Sequence, residues 1–250
     1  MSAATSELLT LDSVAVGYAP GIDILRKIDL SAREGGITTI IGPNGAGKST
    51  LLRCIFGLLP ARRGELRLAG NDVRTLETDQ RKMGGMAYVP QHHSTCPYLS
   101  IEENLRLGGW LIRKDKAQLK RRIEEIYERF PVLAERRKIK ATQLSGGQLR
   151  TLAVAKELVV KPKLILVDEP SVGMSPIVAQ ELYAMLSALP AQGVSILLVD
   201  QNIPDAVAIS DYVYLIGDGT VQRHGTGKWF SENIPTVIAE MLRGSSSLPQ

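Results

Sequence analysis

A glycine-rich segment at residues 42–50, GPNGAGKST, constrains the fold of this chain more than any other feature. It matches the spacing G-x-x-x-x-G-K-[ST] and lies between the apolar run ITTII (37–41) and the apolar stretch STLLRCIFGLL. Glycines let the backbone curl so that its N–H groups point at phosphate oxygens, and a helix that starts near Lys48 presents its positive end to them. We therefore predict a phosphate-binding loop in which Lys48 reaches the β- and γ-phosphates and the Ser49 hydroxyl holds Mg²⁺. The predicted nucleotide-binding residues of the loop are Gly42, Pro43, Asn44, Gly45, Ala46, Gly47, Lys48, Ser49 and Thr50.

Four apolar runs of strand length each end in a glycine turn or a polar group. They are ITTII (37–41) before Gly42, GMAYV (85–89) before Pro90 and Gln91, LILV (164–167) before Asp168 and Glu169, and SILLV (195–199) before Asp200 and Gln201. Helical patterns separate most of these runs, which predicts α/β units and a largely parallel sheet. In such sheets ligands bind beyond the carboxyl ends of the strands, so we expect the polar residues to converge on one site.

Two adjacent acids after the third run are suited to hydrolysis of a bound nucleotide. Asp168, at the end of a buried strand, is placed to bind Mg²⁺ directly or through water, and Glu169 is placed to polarise an attacking water. The alternative is two acids at the start of an ordinary loop. It is disfavoured because the same chain already contains a predicted phosphate-binding loop.

A second anion-binding device is predicted at LSGGQ, which consists of Leu144, Ser145, Gly146, Gly147 and Gln148. Ser145 is a good helix N-cap, and the two glycines allow close backbone approach. The free N–H groups at a helix start bind anions. The chain therefore offers two phosphate-binding segments.

In order and spacing, these motifs resemble those of the nucleotide-binding subunits of ATP-binding cassette (ABC) transporters over roughly residues 8–227. The resemblance implies an ATPase that uses ATP and Mg²⁺. It also implies an α/β fold: a P-loop NTPase core with a largely parallel sheet, an N-terminal antiparallel β subdomain, and a small helical subdomain at about residues 92–145. Residues 228–250 are then a C-terminal extension.

The resemblance assigns roles to individual side chains and places each ATP between the phosphate loop of one subunit and LSGGQ of a second subunit. Tyr18 matches the aromatic residue that stacks on adenine, and Gln91 matches the glutamine that touches Mg²⁺ and the attacking water. Asp168 matches the metal-binding aspartate and Glu169 the general base. The predicted metal ligands are therefore Ser49, Gln91 and Asp168.

Four positions depart from the common pattern of the family. Thr151 and Lys156 stand where arginine is frequent, Ser175 where aspartate is common, and Gln201 where a histidine usually contacts the γ-phosphate. The last two mark a subgroup, since LLVDQN is similar to LLVEQN, and EPSVGMSP to EPSLGLAP, in importers for branched-chain amino acids, amides and urea. A glutamine amide can donate a hydrogen bond as a histidine N–H does, so we predict that Gln201 contacts the γ-phosphate. The predicted catalytic residues are thus Glu169, Gln201 and Gln91.

The same resemblance implies partners and a location. We expect a second ATP-binding subunit, identical or paralogous, two transmembrane permease subunits and, indirectly, a substrate-binding protein, with the chain peripheral at the cytoplasmic face of the membrane. No apolar run reaches the length of a membrane span, and the N-terminus lacks the pattern of a signal peptide. No nucleic acid is expected, because the net charge is only +4 and the chain has few aromatic residues.

Several alternatives stay open. One alternative function is the ATPase subunit of an exporter for lipid or polysaccharide. Another is a soluble cassette protein that takes no part in transport. The basic residues at 113–122 lie in a helical pattern and are expected on its solvated face, or beside anionic lipid headgroups. His92 and His93 lie either near a membrane partner or in an exposed loop.

Overall fold

A single sheet of ten strands runs through the computed structural model, which describes residues 6–92 and 94–244. In chain order the strands are β1 (Glu7–Val16), β2 (Leu25–Arg33), β3 (Ile37–Ile41), β4 (Arg63–Leu68), β5 (Asn71–Asp72), β6 (Met86–Val89), β7 (Leu164–Asp168), β8 (Ser195–Val199), β9 (Tyr212–Gly217) and β10 (Thr220–Thr226). Their order across the sheet is β5-β4-β1-β2-β10-β9-β3-β8-β7-β6.

Helices connect the strands and cover the sheet. In chain order they are α1 (Lys48–Phe56), α2 (Thr78–Met83), α3 (Ile101–Gly108), α4 (Lys116–Arg129), α5 (Pro131–Glu135), α6 (Gly146–Leu158), α7 (Pro176–Ser187), α8 (Ile203–Ala208), α9 (Gly227–Glu232) and α10 (Ile234–Gly244). Of the helices in the described residues, none is both long and apolar enough to span a bilayer.

The four apolar runs form neighbouring parallel strands, as predicted. β3 pairs with β8, β8 with β7, and β7 with β6, all in parallel, while β1, β2, β4 and β5 form antiparallel pairs on the N-terminal side of the sheet. Alternate side chains of β8 enter different cores, since Ile196 and Leu198 join one cluster and Leu197 and Val199 the other. The predicted α/β fold, with a largely parallel sheet and an antiparallel N-terminal part, is confirmed.

The helices between β6 and α6 form the region that was predicted to be a helical subdomain. Leu119, Ile123 and Ile126 of α4 are buried, as the apolar periodicity indicated. The helix begins at Lys116 because the carboxylate of Asp115 accepts a hydrogen bond from the backbone N–H of Gln118, 2.8 Å away, and caps the helix. Residues 113–115 therefore precede the helix. The limits of the subdomain, about 92–145, stay a prediction.

The described part of the C-terminal stretch packs onto the sheet. Phe230 of α9 and Val237 of α10 are buried in a third apolar cluster with Ile41 of β3 and Val213 of β9. The boundary at residue 228 stays a prediction, but residues beyond it contribute to the core. Residues 245–250 lie outside the described residues, as does His93.

We expect Phe230→Ala to lower the free energy of unfolding by about 3–5 kcal/mol, because it removes a large side chain from a packed cluster. Lys228→Ala, which truncates an exposed side chain on the same helix, is the matched control and should change it by less than about 0.5 kcal/mol. Urea titration followed by circular dichroism measures both. A loss below about 1 kcal/mol in Phe230→Ala would mean that the C-terminal helices do not stabilise the fold.

Candidate active site

The phosphate loop connects β3 to α1, and α1 begins at Lys48 as predicted. Gly47, just before the helix, has φ 92°, a left-handed conformation that favours glycine. A Cβ atom at this position would also press into the side chains of Ile24 and Leu25. No side chain caps the start of α1, so its first N–H groups are available to an anion.

The Lys48 side chain lies back across the loop. Its Nζ donates hydrogen bonds to the carbonyl oxygens of Gly42 at 2.9 Å and Pro43 at 3.0 Å. Burial lowers the pKa of Lys48, and nearby carboxylates, Glu169 foremost, act in the opposite direction. The ammonium group is thus held between the loop and the acids that follow β7.

Asp168 lies at the end of β7 and is held by two hydroxyl groups. Ser49 Oγ donates to its Oδ1 at 2.9 Å, and the Tyr88 hydroxyl donates to its Oδ2 at 3.0 Å. Burial raises the pKa of Asp168, and these two hydrogen bonds oppose that shift. Both oxygens of the predicted metal ligand are therefore oriented by specific donors.

Ser49 and Asp168 present oxygen atoms that fit Mg²⁺. Neighbouring ligands in an octahedral Mg²⁺ shell lie about 3 Å apart, which agrees with the 2.9 Å between Ser49 Oγ and Asp168 Oδ1. Proteins commonly hold Mg²⁺ through one or two carboxylates and leave the remaining positions to water and phosphate. No group of three or more His, Cys, Asp or Glu side chains in the described residues is arranged to hold a metal. An ion at this place would therefore need nucleotide or water oxygens.

Glu169 is buried and is held by two glutamine side chains. Gln91 Nε2 and Gln201 Nε2 each donate a hydrogen bond of 2.6 Å to its Oε2. Glu169 has φ 44°, which is uncommon for a residue with a side chain, and its backbone N–H donates to the Val199 carbonyl at 2.7 Å. The structure thus brings together the three predicted catalytic residues. Their contacts with nucleotide stay predictions.

Asp200 joins the end of β8 to two neighbouring segments. Its Oδ2 accepts a hydrogen bond from the Tyr183 hydroxyl of α7 at 2.9 Å, and its Oδ1 accepts one from Ser171 Oγ at 2.9 Å. Oδ1 also accepts the backbone N–H groups of Gln201 and Asn202. Burial raises the pKa of Asp200, and these donors oppose the shift. The carboxylate therefore fixes the turn that carries Gln201 and ties it to the β7–α7 connection.

Tyr18 lies just after β1, and its hydroxyl group contacts α1. The residue is 56% exposed, while its hydroxyl lies 3.3 Å from Thr50 Oγ1 and accepts a hydrogen bond from Arg53 Nη1 at 3.1 Å. The hydrogen bond with Thr50, followed by that with Arg53, lowers the pKa of Tyr18. The first helix thus anchors the hydroxyl beside the phosphate loop. The contact with adenine stays a prediction.

LSGGQ lies at the start of α6, with Ser145 as the N-cap. Ser145 Oγ accepts the backbone N–H of Gln148 at 3.3 Å, and the Gln148 side chain accepts the backbone N–H of Ser145 at 3.1 Å. A Cβ atom on Gly147 would meet Val178 of α7, whereas Gly146 faces open space. Leu144 packs against the large core cluster. The segment therefore offers an open helix start, and its role toward a second subunit stays a prediction.

The sequence alone did not assign a contact to two cations of α6 that bind the loop after β6. Arg150 donates hydrogen bonds to the carbonyl oxygens of Pro90 at 3.0 Å and Gln91 at 2.9 Å. Lys156, one of the departures noted above, donates to the Ser94 carbonyl at 2.6 Å. The helix that starts at LSGGQ is therefore linked directly to the loop that carries Gln91.

A cleft of about 960 Å³ lies beside the phosphate loop. It is lined by residues 43–46 of the loop, by residues 21–24 before β2, by the β9–β10 turn and by α10. Neither Lys48 nor the carboxylates that follow β7 line it. Cavity volume therefore does not mark the place where the catalytic groups converge.

Comparison with known proteins agrees with this geometry. The model of the ABC transporter family matches residues 25–172. The chain is 36% identical to the high-affinity branched-chain amino acid transport ATP-binding protein BraG of Pseudomonas aeruginosa, over 95% of this chain and 100% of that protein. It is 37% identical to the probable branched-chain amino acid transport ATP-binding protein LivF of Archaeoglobus fulgidus, over 85% of this chain and 89% of that protein. The lipopolysaccharide export system ATP-binding protein LptB of Escherichia coli is 31% identical over 87% of this chain and 90% of its own length.

Two solved structures share the fold. An ATP-binding cassette of an ABC transporter in its ADP conformation superposes with a TM-score of 0.86 at 26% identity, over 96% of this chain and 100% of that one. A dimeric ATP-binding cassette in a post-hydrolysis state with ADP and Pi superposes with a TM-score of 0.75 at 25% identity, over 87% of this chain and 98% of that one.

Glu169→Gln should nearly stop ATP turnover and retain ATP binding, because a positioned general base contributes about 10²–10⁴-fold to rate. Lys48→Ala should instead weaken binding, since it removes the ammonium group at the phosphate loop. Phosphate release and fluorescent-nucleotide titration measure the two quantities separately. Turnover at the wild-type rate in Glu169→Gln would exclude this residue as the base.

Asp200→Ala and Gln201→Ala should each lower turnover by up to about 10²–10³-fold with little change in ATP affinity, because Asp200 positions the turn that carries the Gln201 amide. The double variant should be no slower than the slower single variant, since both changes affect one contact. Asp200→Glu keeps the carboxylate, matches LLVEQN and should retain most activity. Tyr183→Phe removes only the hydrogen bond between the Tyr183 hydroxyl and Asp200. It is a milder variant that tests the role of Asp200 should Asp200→Ala fail to fold. If the fold-losses in ATP turnover of the two single variants multiply in the double variant, Asp200 does not act through Gln201.

Proposed function

The chain belongs to the ABC transporter family and is an ATPase, and we propose that it energises an importer of branched-chain amino acids, related amides or urea. The observation that carries the cargo class is the identity of 36–37% to BraG and LivF over most of the chain. The subgroup sequences around Asp200 and Ser175 support the same assignment.

The site supports the following arrangement of Mg·ATP. The backbone of the phosphate loop and Lys48 bind the β- and γ-phosphates, and Tyr18 stacks on the adenine. Ser49, Asp168 and Gln91 hold Mg²⁺, which supplies positive charge to the phosphate oxygens when bound. Lys48 already lies against the loop, and the Ser49 and Asp168 oxygens lie 2.9 Å apart, so both would be within reach of one ion.

Glu169 takes the proton of the attacking water in this proposal. Both glutamines donate to the same oxygen, Oε2, which leaves Oε1 to face the water. When ATP binds, Gln201 turns its amide from Glu169 to the γ-phosphate, and the Gln91 side chain would be free to contact the attacking water and a bound Mg²⁺. The strained backbone of Glu169 holds its side chain at the strand end throughout.

The second subunit completes the site. ABC ATPases work as dimers with membrane permeases, and a dimeric cassette with ADP and Pi is among the structures that share this fold. We infer that the open start of α6, with Ser145, Gly146 and Gly147, binds the γ-phosphate held by the partner. The partner is either a second copy or a paralogous chain. Two permease subunits at the cytoplasmic face of the membrane, and a binding protein beyond them, complete the transporter.

The cassette proper is proposed to span residues 8–227, with the helical subdomain inserted at about 92–145 and residues 228–250 as an extension. A second candidate function is export of a lipid or polysaccharide. It rests on the 31% identity to LptB, which is lower than the identity to the two import proteins.

Deletion of the gene should abolish uptake of one labelled solute class among leucine, short amides and urea. A plasmid with the wild-type gene should restore uptake, and one with Glu169→Gln should not, because transport needs hydrolysis. Immunoblotting of both plasmid-borne proteins is the control for expression. Unchanged uptake of all three solutes, in a strain without a redundant system, would contradict the cargo assignment but not the ATPase activity, which is measured on the purified chain.

A further inference from the structure

We propose that the corner between α3 and α4 binds the anionic surface of a lipid bilayer. This lipid-facing corner consists of Leu107, Trp110, Arg113, Lys114, Lys116 and Lys120. It combines exposed apolar side chains with cations that form no ion pair with an acid among the residues that the structure describes. The proposal adds a contact that the nucleotide site does not require, although the proposed transporter role is what brings a membrane within reach.

The two exposed apolar residues of the corner, Leu107 and Trp110, flank a segment that packs closely against α6 and α4. Trp110 is 57% exposed and Leu107 is 39% exposed. Between them, Gly108 lies so close to the backbone of α6 that a Cβ atom would overlap the Lys156 carbonyl, and a Cβ on Gly109 would overlap Leu119 of α4. The chain before Trp110 is therefore packed closely against two helices, and the indole that follows it is more than half exposed.

A cation is fixed against the exposed indole. The Arg113 guanidinium carbon lies 4.3 Å from the centroid of the Trp110 ring, and Arg113 Nη1 donates a hydrogen bond to the Trp110 carbonyl at 2.8 Å. Tryptophan is enriched where hydrocarbon meets headgroups, and long basic side chains cover apolar surface while their charge stays in the polar layer. The pair therefore presents an apolar ring and a cation side by side, as the boundary between hydrocarbon and headgroups favours.

The remaining cations of the corner are uncompensated. The chain carries five cations and one carboxylate between residues 113 and 121. That carboxylate, Asp115, is engaged in capping α4. Lys114, Lys116 and Lys120 are exposed and form no ion pair within the described residues, whereas Arg106 on the preceding helix is paired with Glu102. An anionic surface therefore complements a charge that the protein itself leaves unbalanced.

A lipid surface fits this corner better than a single-stranded nucleic acid does. Lys116 and Lys120 are four residues apart and share the exposed side of α4, next to the Trp110 end of the corner. Each Lys or Arg near an anionic bilayer strengthens binding by about fivefold. Surfaces that bind single-stranded nucleic acid stack successive bases on several aromatic side chains, and this corner has one aromatic residue.

The chain provides its own reporter, because Trp110 and Trp229 are its two tryptophans. In Trp229→Phe, fluorescence reports Trp110 alone, and in Trp110→Phe it reports Trp229 alone. With phosphatidylcholine vesicles that contain about 30% phosphatidylglycerol, we expect a blue shift in Trp229→Phe and none in Trp110→Phe. Pure phosphatidylcholine vesicles, or about 1 M NaCl, should abolish the shift, since charge drives the approach.

Charge variants test the lysines in the Trp229→Phe background. Lys116→Gln with Lys120→Gln should weaken vesicle binding by about 10- to 30-fold. Lys27→Gln with Arg33→Gln removes the same charge from β2, and this matched control should leave binding unchanged. ATP turnover of all variants, measured in parallel without vesicles, should equal that of the wild type.

Three results would overturn the proposal: no blue shift with anionic vesicles, an equal shift in Trp110→Phe, or equal weakening in the β2 control. Binding of polyglutamate or single-stranded RNA in place of vesicles would also overturn it and assign the corner to another partner. Unchanged solute uptake in the gene-deletion strain, together with intact vesicle binding by the purified chain, would count against the proposed cargo alone.

Discussion

The site depends on the register of four parallel strands. Val167 of β7 pairs with Val89 of β6 and with Leu198 of β8, and Ile40 of β3 pairs with Val199. The strands therefore end together, and the next residues of each chain segment emerge at one edge of the sheet. A slip of one residue would turn each buried side chain to the opposite face, so the hydrophobic cores on both faces hold the catalytic groups in place.

Three acids converge at this edge, and the structure keeps them distinct. Asp168 is held by the hydroxyls of Ser49 and Tyr88, and Glu169 by two amides. Asp200 has its own hydroxyl and backbone donors. Because each carboxylate has separate partners, the three acids suit separate tasks, namely metal binding, proton acceptance and positioning of a turn. The ammonium of Lys48 offsets part of their mutual repulsion.

The helical region takes part in this arrangement through α6. Its start carries LSGGQ, its second turn holds the loop after β6 through Arg150, and its third turn does so through Lys156. A displacement of α6 would therefore move Gln91 as well. The same helix supports Gly108 at the base of the lipid-facing corner. One rigid element thus touches the nucleotide site, the proposed subunit contact and the proposed lipid contact.

The sequence by itself determined the parallel strands β3, β6, β7 and β8, the phosphate loop and the capped start of α6, because each is specified by local chemistry: an apolar run, glycine spacing or an N-cap serine. It also located Asp168 and Glu169, which follow their strand directly. Only the tertiary structure decided which side chains meet across the sheet. Tyr88 looked like one more apolar strand residue, and Arg150 was assigned no role, since neither forms its key hydrogen bond with a sequence neighbour. Asp200 was expected only as one of the polar residues that converge at the strand ends, and its role in positioning the turn came from Ser171 and Tyr183, which reach it only when β8 and α7 pack together.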